Sequence, residues 1–298
     1  MQNQRKTVRF IARTIRHAPQ LARSVWRDPI AAWYWARESI ADPGEYQGQA
    51  CPYDAAEDWE QRLHATIDAP WPCEAASDFW ALWPEVMQPF EVKGTPIGRA
   101  AFGGWGDGEP GLVRALWCLV QHLRPTTVIE TGVARGFTSR FILEALERNG
   151  AGHLWSIDLP PMRAPKLHSQ IGVAVRPELR HRWSYVRGTS RQHLPKLLAQ
   201  LGQIDLFVHD SRHTERNVLF ELTQAWSALR AGGAVVADDI DENWGFDAFT
   251  RRVSPPCVLN CFAEPLRPDP PRFAAKGLFG IALNCESASS LKLRHDVT

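Results

Sequence analysis

The sequence predicts an α/β fold built on an open sheet of seven strands. Five of them are parallel, an antiparallel hairpin closes the C-terminal end, helices cover both faces, and a helical extension precedes the sheet. Three observations carry this expectation. The stretch from Thr127 to Leu146 reads as a buried strand, a glycine loop and an amphipathic helix. Strand-like and helix-like segments then alternate as far as Ala237, the pattern of a parallel sheet with both faces covered. The last two apolar runs, Cys257 to Ala263 and Leu278 to Leu283, are separated by Pro265, Pro268, Pro270 and Pro271 and by no helical pattern. A direct connection of that kind favours an antiparallel pair.

Taken in order, residues 1–27 hold Arg5, Lys6, Arg9, Arg13, Arg16, Arg23 and Arg27 ahead of the first acid, Asp28. Val8, Ile11 and Ile15 recur at helical spacing, with Phe10 beside them. A basic amphipathic segment can rest on an anionic membrane surface, pack on the body of the protein, or bind a partner. It lacks the long apolar core of a secretory signal. Helices are expected from Ile30 to Ile40, from Ala55 to Ile67 and from Glu74 to Met87, without strand alternation. Residues 1–100 are thus expected to form a helical N-terminal extension folded onto a domain spanning 101–298. Because the extension lies outside the alternation, ligand binding is expected not to require it. The loop Phe102-Gly103-Gly104-Trp105-Gly106-Asp107-Gly108 either closes over a ligand or only links the two parts.

A helix from Gly111 to Leu123 ends before Pro125. Strands are expected at Thr126–Glu130, His153–Ile157, Trp183–Val186, Ile204–Val208 and Ala234–Ala237. Helices are expected at Thr138–Arg148, Gln192–Leu201 and Thr214–Leu229. Thr138 or Ser139 can cap the first of these, and Gly232-Gly233 lie just beyond the last.

Composition narrows the function classes. A formal net charge of +1 over 298 residues gives no global field toward nucleic acid. The six cysteines are scattered without a Cys-x-x-Cys pair, and Cys257 and Cys261 have no matching histidine pair nearby. A zinc site is therefore not expected, and reduced thiols of a cytoplasmic protein are. No apolar run reaches the length of a membrane span. Several of the thirteen tryptophans fall outside the expected core and are available to line a binding surface.

In open α/β sheets, ligands sit beyond the carboxyl ends of the strands. Here each parallel strand ends in polar residues: Glu130, Asp158, Gly188-Thr189-Ser190, Asp210 and Asp238-Asp239. An acid at the end of the first strand argues against a phosphate and suits an ammonium or ribose hydroxyls. The loop glycines Gly132 and Gly136 let backbone approach a ligand, and the helix after them offers free N–H groups at its start. The site is read as binding S-adenosylmethionine through Glu130, Thr131, Gly132, Gly136, Thr138, Ser139 and Asp158. Asp158 is either placed to bond both ribose hydroxyls or is a turn acid before Pro160. Gly188, Thr189 and Ser190 either border the adenine or form a plain turn. Asp210, Asp238 and Asp239 come from neighbouring strand ends and would repel one another without a cation, which magnesium would supply. The alternative is that Asp238-Asp239 caps the next element while Asp210 orients its loop. His213, three residues beyond Asp210, is either a general base or a capping or surface histidine.

Glu130-Thr131-Gly132-Val133-Ala134-Arg135-Gly136, Asp210-Ser211-Arg212-His213-Thr214 and Val218-Leu219-Phe220-Glu221-Leu222 resemble the cephalosporin hydroxylase and rhamnosyl O-methyltransferase family. That family is a branch of the class I S-adenosylmethionine-dependent methyltransferases. The resemblance covers about residues 110–240. It implies a Rossmann-like methyltransferase fold, S-adenosylmethionine, and a magnesium ion on carboxylates matching Asp210, Asp238 and Asp239. The family commonly carries Glu-Asp where this chain has Asp238-Asp239. The function expected is O-methylation of a hydroxyl on a sugar or natural product, with Asp210 and His213 as the catalytic pair. The alternatives are a non-catalytic S-adenosylmethionine-binding protein on the same scaffold and a membrane-surface partner protein. The expected partners are a hydroxylated small molecule and a peripheral membrane contact through residues 1–27; nucleic acid is not expected, and a homo-oligomer is left open.

Overall fold

The computed structural model describes residues 18–41, 51–97, 101–102, 109–263 and 277–285. The loop residues 103–108, the prolines of 264–276 and the basic stretch 1–17 lie outside the described residues. Helices α1 (Ala18–Arg27), α2 (Pro29–Ala41), α3 (Trp59–Thr66), α4 (Ala76–Val92) and α5 (Pro110–Leu123) precede the sheet. Next come β1 (Thr127–Thr131), α6 (Phe137–Asn149), β2 (His153–Asp158), β3 (Trp183–Arg187), α7 (Ser190–Leu201), β4 (Ile204–His209), α8 (Glu215–Ala228), β5 (Leu229–Ala237), α9 (Gly245–Val253), β6 (Cys257–Phe262) and β7 (Leu278–Leu283).

The seven strands form one sheet in the order β3-β2-β1-β4-β5-β7-β6. Strands β1 to β5 pair in parallel, and β7 runs antiparallel to both β5 and β6. The expected seven-stranded architecture is therefore the one observed. Strands β1 and β4 are buried almost throughout because both faces of the sheet are covered. One face carries Val128, Leu154, Leu206, Val208, Ala234 and Val236 under α5 and α6. The other carries Ile129, Ile157, Phe207, Val235 and Ala237 under α7, α8 and α9.

The extension is part of the first of these cores. Trp59 and Leu63 of α3 and Phe79, Leu82, Val86, Met87 and Phe90 of α4 pack in one cluster with Phe141 and Trp117. Phe79 and Phe141 lie with ring centroids 5.1 Å apart. Burying each such side chain contributes roughly 1.5–3 kcal/mol.

Several local expectations are corrected. Neither Thr138 nor Ser139 caps α6: Gly136 (φ 81°) stands at its N-cap, with no side-chain cap. Thr138 and Ser139 lie one and two positions inside the first turn, and the first intrahelical bond runs from Arg140 N–H to the Gly136 carbonyl oxygen (2.9 Å). Gly232-Gly233 do not follow a helix end but lie inside β5, which starts at Leu229 directly after α8. A shift in the β4–β5 register accompanies them, and a Cβ at Gly233 would stand 2.7 Å from the Asp205 carbonyl oxygen. Helix α9 was not read from the sequence, and two short 3-10 segments, Pro165–Gln170 and Pro177–Arg182, fill the connection from β2 to β3.

Candidate active site

Strand register brings the expected acids into one row. Thr131 pairs with Ile157 on one side and with His209 on the other, and His209 pairs with Ala237. The next residues along, Gly132, Asp158, Asp210 and Asp238, therefore emerge together at the carboxyl edge. Backbone bonds continue the row: Asp210 N–H donates to the Thr131 carbonyl (2.8 Å) and Asp238 N–H to that of His209 (2.9 Å). The chain order reverses between β1 and β4, which is the switch point where such sheets bind ligands.

Glu130 is fully buried at the end of β1. Its Oε2 accepts from Ser139 Oγ (2.6 Å) and Ser156 Oγ (2.7 Å). Its Oε1 has no hydrogen-bond partner. Burial pushes the carboxyl up to about 7, against the pull of the two serines. Asp158 is pushed up to about 6 by burial, opposed by the backbone amides of Ala134, Val133 and Leu159. It thus holds the β1–α6 loop from below.

The loop glycines owe their identity to neighbouring backbone. A Cβ on Gly132 (φ 87°) would lie 1.8 Å from the Asp210 carbonyl oxygen, and one on Gly136 would meet Gly172 Cα at 3.0 Å. Their lack of a side chain lets the loop close against β4 and the 3-10 segments, which positions its amides rather than clearing a cavity. Among the other expected binding residues, Thr131 Oγ1 donates to Glu221 Oε2 (2.5 Å). Thr189 caps α7, accepting from the Gln192 amide. The Ser190 side chain bonds Glu221. Gly188 N–H donates to the Asp158 carbonyl oxygen (2.9 Å), and Thr138 is half-buried within α6.

Sequence reasoning missed Glu221 as an organiser. It is buried in α8, between the apolar positions Val218, Leu222 and Ala225, and a charge on a buried helix face was the available signal. His209 Nδ1 donates to Oε2 (2.6 Å), while Ser211 Oγ and Asn217 Nδ2 donate to Oε1 (both 2.8 Å). Burial opposes the charge, yet His209 and the hydroxyl donors outweigh it and hold Glu221 at about 2.

Next to this network two of the expected metal residues, Asp210 and Asp238, converge, with His213, expected as a base, in the place expected for Asp239. One ligand atom each from Asp210, His213 and Asp238 lie within 4.8 Å of one another. His213 Nε2 stands 3.8 Å from Asp210 Oδ1 and 3.9 Å from Asp239 Oδ2. Burial, with Asp239 next, drives both Asp210 and Asp238 well above the usual carboxylate range, and Glu109 adds to it. Asp238 Oδ1 and His213 Nδ1 are buried without a hydrogen-bond partner. Burial pushes His213 down to about 4, so its imidazole is neutral near pH 7. This oxygen-rich donor set, with an unbonded carboxylate oxygen inside it, fits a hard divalent cation.

The extension reaches this edge. Arg187 at the end of β3 pairs with Asp28 (3.0 Å), and Ser24 Oγ donates to the Met162 carbonyl oxygen (2.9 Å). Val25, Trp26, Ile30, Trp33 and Ile40 on the outer side of α1 and α2 are exposed, next to Arg23, Arg27 and Arg37. Among the described residues no helix is long and apolar enough to cross a membrane.

The strand order defines an open, mostly parallel α/β sheet with β7 inserted antiparallel between β5 and β6. Residues 129–240 match a protein-family model described as a methyltransferase domain, in line with the expectation from the motifs. No curated protein matches the chain. Among solved structures, the chain is similar to an O-methyltransferase from Bacillus cereus in complex with SAH, at 16% identity over 76% of this chain and 98% of that one, with a TM-score of 0.49. It is also similar to the O-methyltransferase TomG from Streptomyces achromogenes, involved in tomaymycin synthesis and in complex with SAM, at 17% identity over 78% and 100%, TM-score 0.45. A putative O-methyltransferase from Klebsiella pneumoniae shares 16% identity over 76% and 97%, TM-score 0.47.

Proposed function

We propose that the chain is an S-adenosylmethionine-dependent O-methyltransferase acting on a hydroxyl of a small molecule, a sugar or natural product, with magnesium at the carboxylate cluster. The observation that carries this reading is the pair of buried carboxylate oxygens without partners, Glu130 Oε1 and Asp238 Oδ1, at the carboxyl edge of one sheet. Buried acceptors are nearly always satisfied, so two on one edge mark places where ligand donors or a cation belong.

Glu130 Oε1 is suited to accept from the ammonium group or ribose hydroxyls of the cofactor, and Asp158 to accept from ribose hydroxyls. S-adenosylmethionine would supply a sulfonium methyl that an acceptor oxygen attacks in line, with S-adenosylhomocysteine leaving as the neutral thioether. Asp210 and Asp238, with Asp239 beside them, would hold magnesium, which lowers the pKa of a bound hydroxyl. Neutral His213 is available to take the hydroxyl proton on Nε2, and the Asp210 and Asp239 carboxylates beside it favour the resulting imidazolium. The O–C bond forms as the C–S bond breaks, and the edge's burial keeps water from competing.

The test is methyl transfer from labelled S-adenosylmethionine to a panel of hydroxylated acceptors, with magnesium and with excess chelator. Product with magnesium and none with chelator supports the whole reading. Equal product in both removes magnesium and leaves His213 as the base. Cofactor binding without product on any acceptor favours a binding protein on this scaffold.

A further inference from the structure

A second cluster of metal-ligating side chains lies away from the carboxylates. His64 comes from α3, Cys73 from the segment joining α3 to α4, and Cys118 and His122 from α5, one turn apart and so on one helix face. Helix α5 delivers its last turn to the start of β1, placing the cluster toward the opposite edge of the sheet from the proposed active site. His64, Cys73 and Cys118 are buried, and one ligand atom from each lies within 4.8 Å of the others. Cys73 Sγ is 3.4 Å from Cys118 Sγ and 3.4 Å from His122 Nε2.

The orientation of His64 points to a ligand. Its Nδ1 lies 2.7 Å from the Glu60 carbonyl oxygen, which can only accept, so the ring proton sits on Nδ1. Nε2 is thereby left as a bare lone pair, buried and without a hydrogen-bond partner. A backbone carbonyl fixing one nitrogen while the other faces the ion is the usual support for a metal-bound histidine. The separations agree. Metal–sulfur distances of about 2.3 Å and metal–nitrogen distances of about 2.0–2.1 Å in a tetrahedron put donor atoms roughly 3.3–3.8 Å apart. A disulfide would need the sulfurs at about 2.05 Å. Two thiolates and two imidazoles are a donor set suited to zinc and poorly suited to magnesium.

We propose that His64, Cys73, Cys118 and His122 form a tetrahedral structural zinc site that fastens the helical extension to α5 of the methyltransferase domain. Two ligands come from each side, so the ion closes the α3–α4 region onto the sheet beside Trp59, Phe79 and Trp117. This site is independent of the activity proposed above.

The full-length protein is isolated from zinc-containing medium without chelators, and its metal is measured by mass spectrometry. About one zinc per chain is expected, as for a closed structural site. The Cys73→Ser/Cys118→Ser double variant is expected to retain less than about a tenth of that, and Cys257→Ser the full amount. Should the double variant not fold, cobalt exchange into the wild-type protein gives the same answer. Near-ultraviolet thiolate-to-cobalt charge transfer with strong visible bands is expected, which the carboxylate site cannot produce. Wild-type protein with only trace zinc and no thiolate–cobalt band overturns the proposal. So does a chain two hydrogens lighter through a Cys73–Cys118 disulfide.

Discussion

Two acidic clusters, one fully buried around Glu221 and one half-buried around Asp210 and Asp238, lie side by side at the carboxyl edge and behave in opposite ways. Around Glu221, five donors from Thr131, Ser190, His209, Ser211 and Asn217 meet one carboxylate, and its pKa falls to about 2. Around Asp210 and Asp238 the carboxylates face one another and Asp239, Asp238 Oδ1 lacks a partner, and both groups are pushed up. Burial opposes charge in both places. What differs is whether the chain itself supplies the compensating donors. The first cluster is complete and holds β1, β4 and α8 together, whereas the second leaves a buried carboxylate oxygen without a donor from the chain.

Substitutions at the two clusters should therefore differ in kind. Removing the charge of Glu221 with Glu221→Gln leaves His209 and four further donors competing for an amide. A loss of roughly 3–5 kcal/mol is expected, read from urea unfolding. Because the folded pKa is depressed, the stabilisation is fully present above about pH 4.5 and lost as pH falls toward 2. A variant as stable as wild type at pH 7 would erase the contrast.

Asp210→Asn should have its effect on turnover. It keeps the side chain's size and removes a charge from the donor set, so turnover is expected to fall about 100-fold, near 2.7 kcal/mol in the barrier. Cofactor affinity should change by less than about threefold, since Asp210 lies beyond the Glu130–Asp158 part of the edge. Equal losses in both, measured by turnover and by calorimetry, would merge the cofactor and metal subsites into one.

Glu130→Gln gives the smallest expected effect. Its carboxyl is raised from 4.5 to about 7 in the folded chain, so its ionisation costs stability progressively as pH rises between these values. The ligand-free variant is expected to be more stable than wild type at pH 8 by on the order of 1–2 kcal/mol. Destabilisation at that pH would mean Oε1 has a partner after all.

The sheet and the acidic row were legible because period and position are local signals. Alternating strands and helices announce themselves in a few residues each, and an acid directly after a strand falls on the carboxyl edge whatever the register. What escaped depends on contacts distant in sequence. Glu221 acts through Thr131, ninety residues earlier. The roles of Gly132 and Gly136 depend on Asp210 and Gly172. The Cys73–Cys118 pair has no spacing motif, so reading Cys257 and Cys261 alone argued against zinc while the better donor set lay elsewhere. Helix α9 was hidden because Asp238–Glu242 reads as a polar loop running on past the strand.

The most direct measurement is calorimetric titration of S-adenosylmethionine into the wild-type protein and Glu130→Gln at about pH 5.5 and about pH 8. Ligand binding to an ionised Glu130 should weaken as that group protonates below about 7. Saturable one-to-one binding by wild type is expected, about tenfold weaker at the lower pH. For Glu130→Gln, binding should be about tenfold weaker at pH 8 and little affected by pH. Folded wild-type protein that takes up no S-adenosylmethionine, or that binds it as well without the Glu130 charge, would contradict Glu130 as the cofactor's anchor.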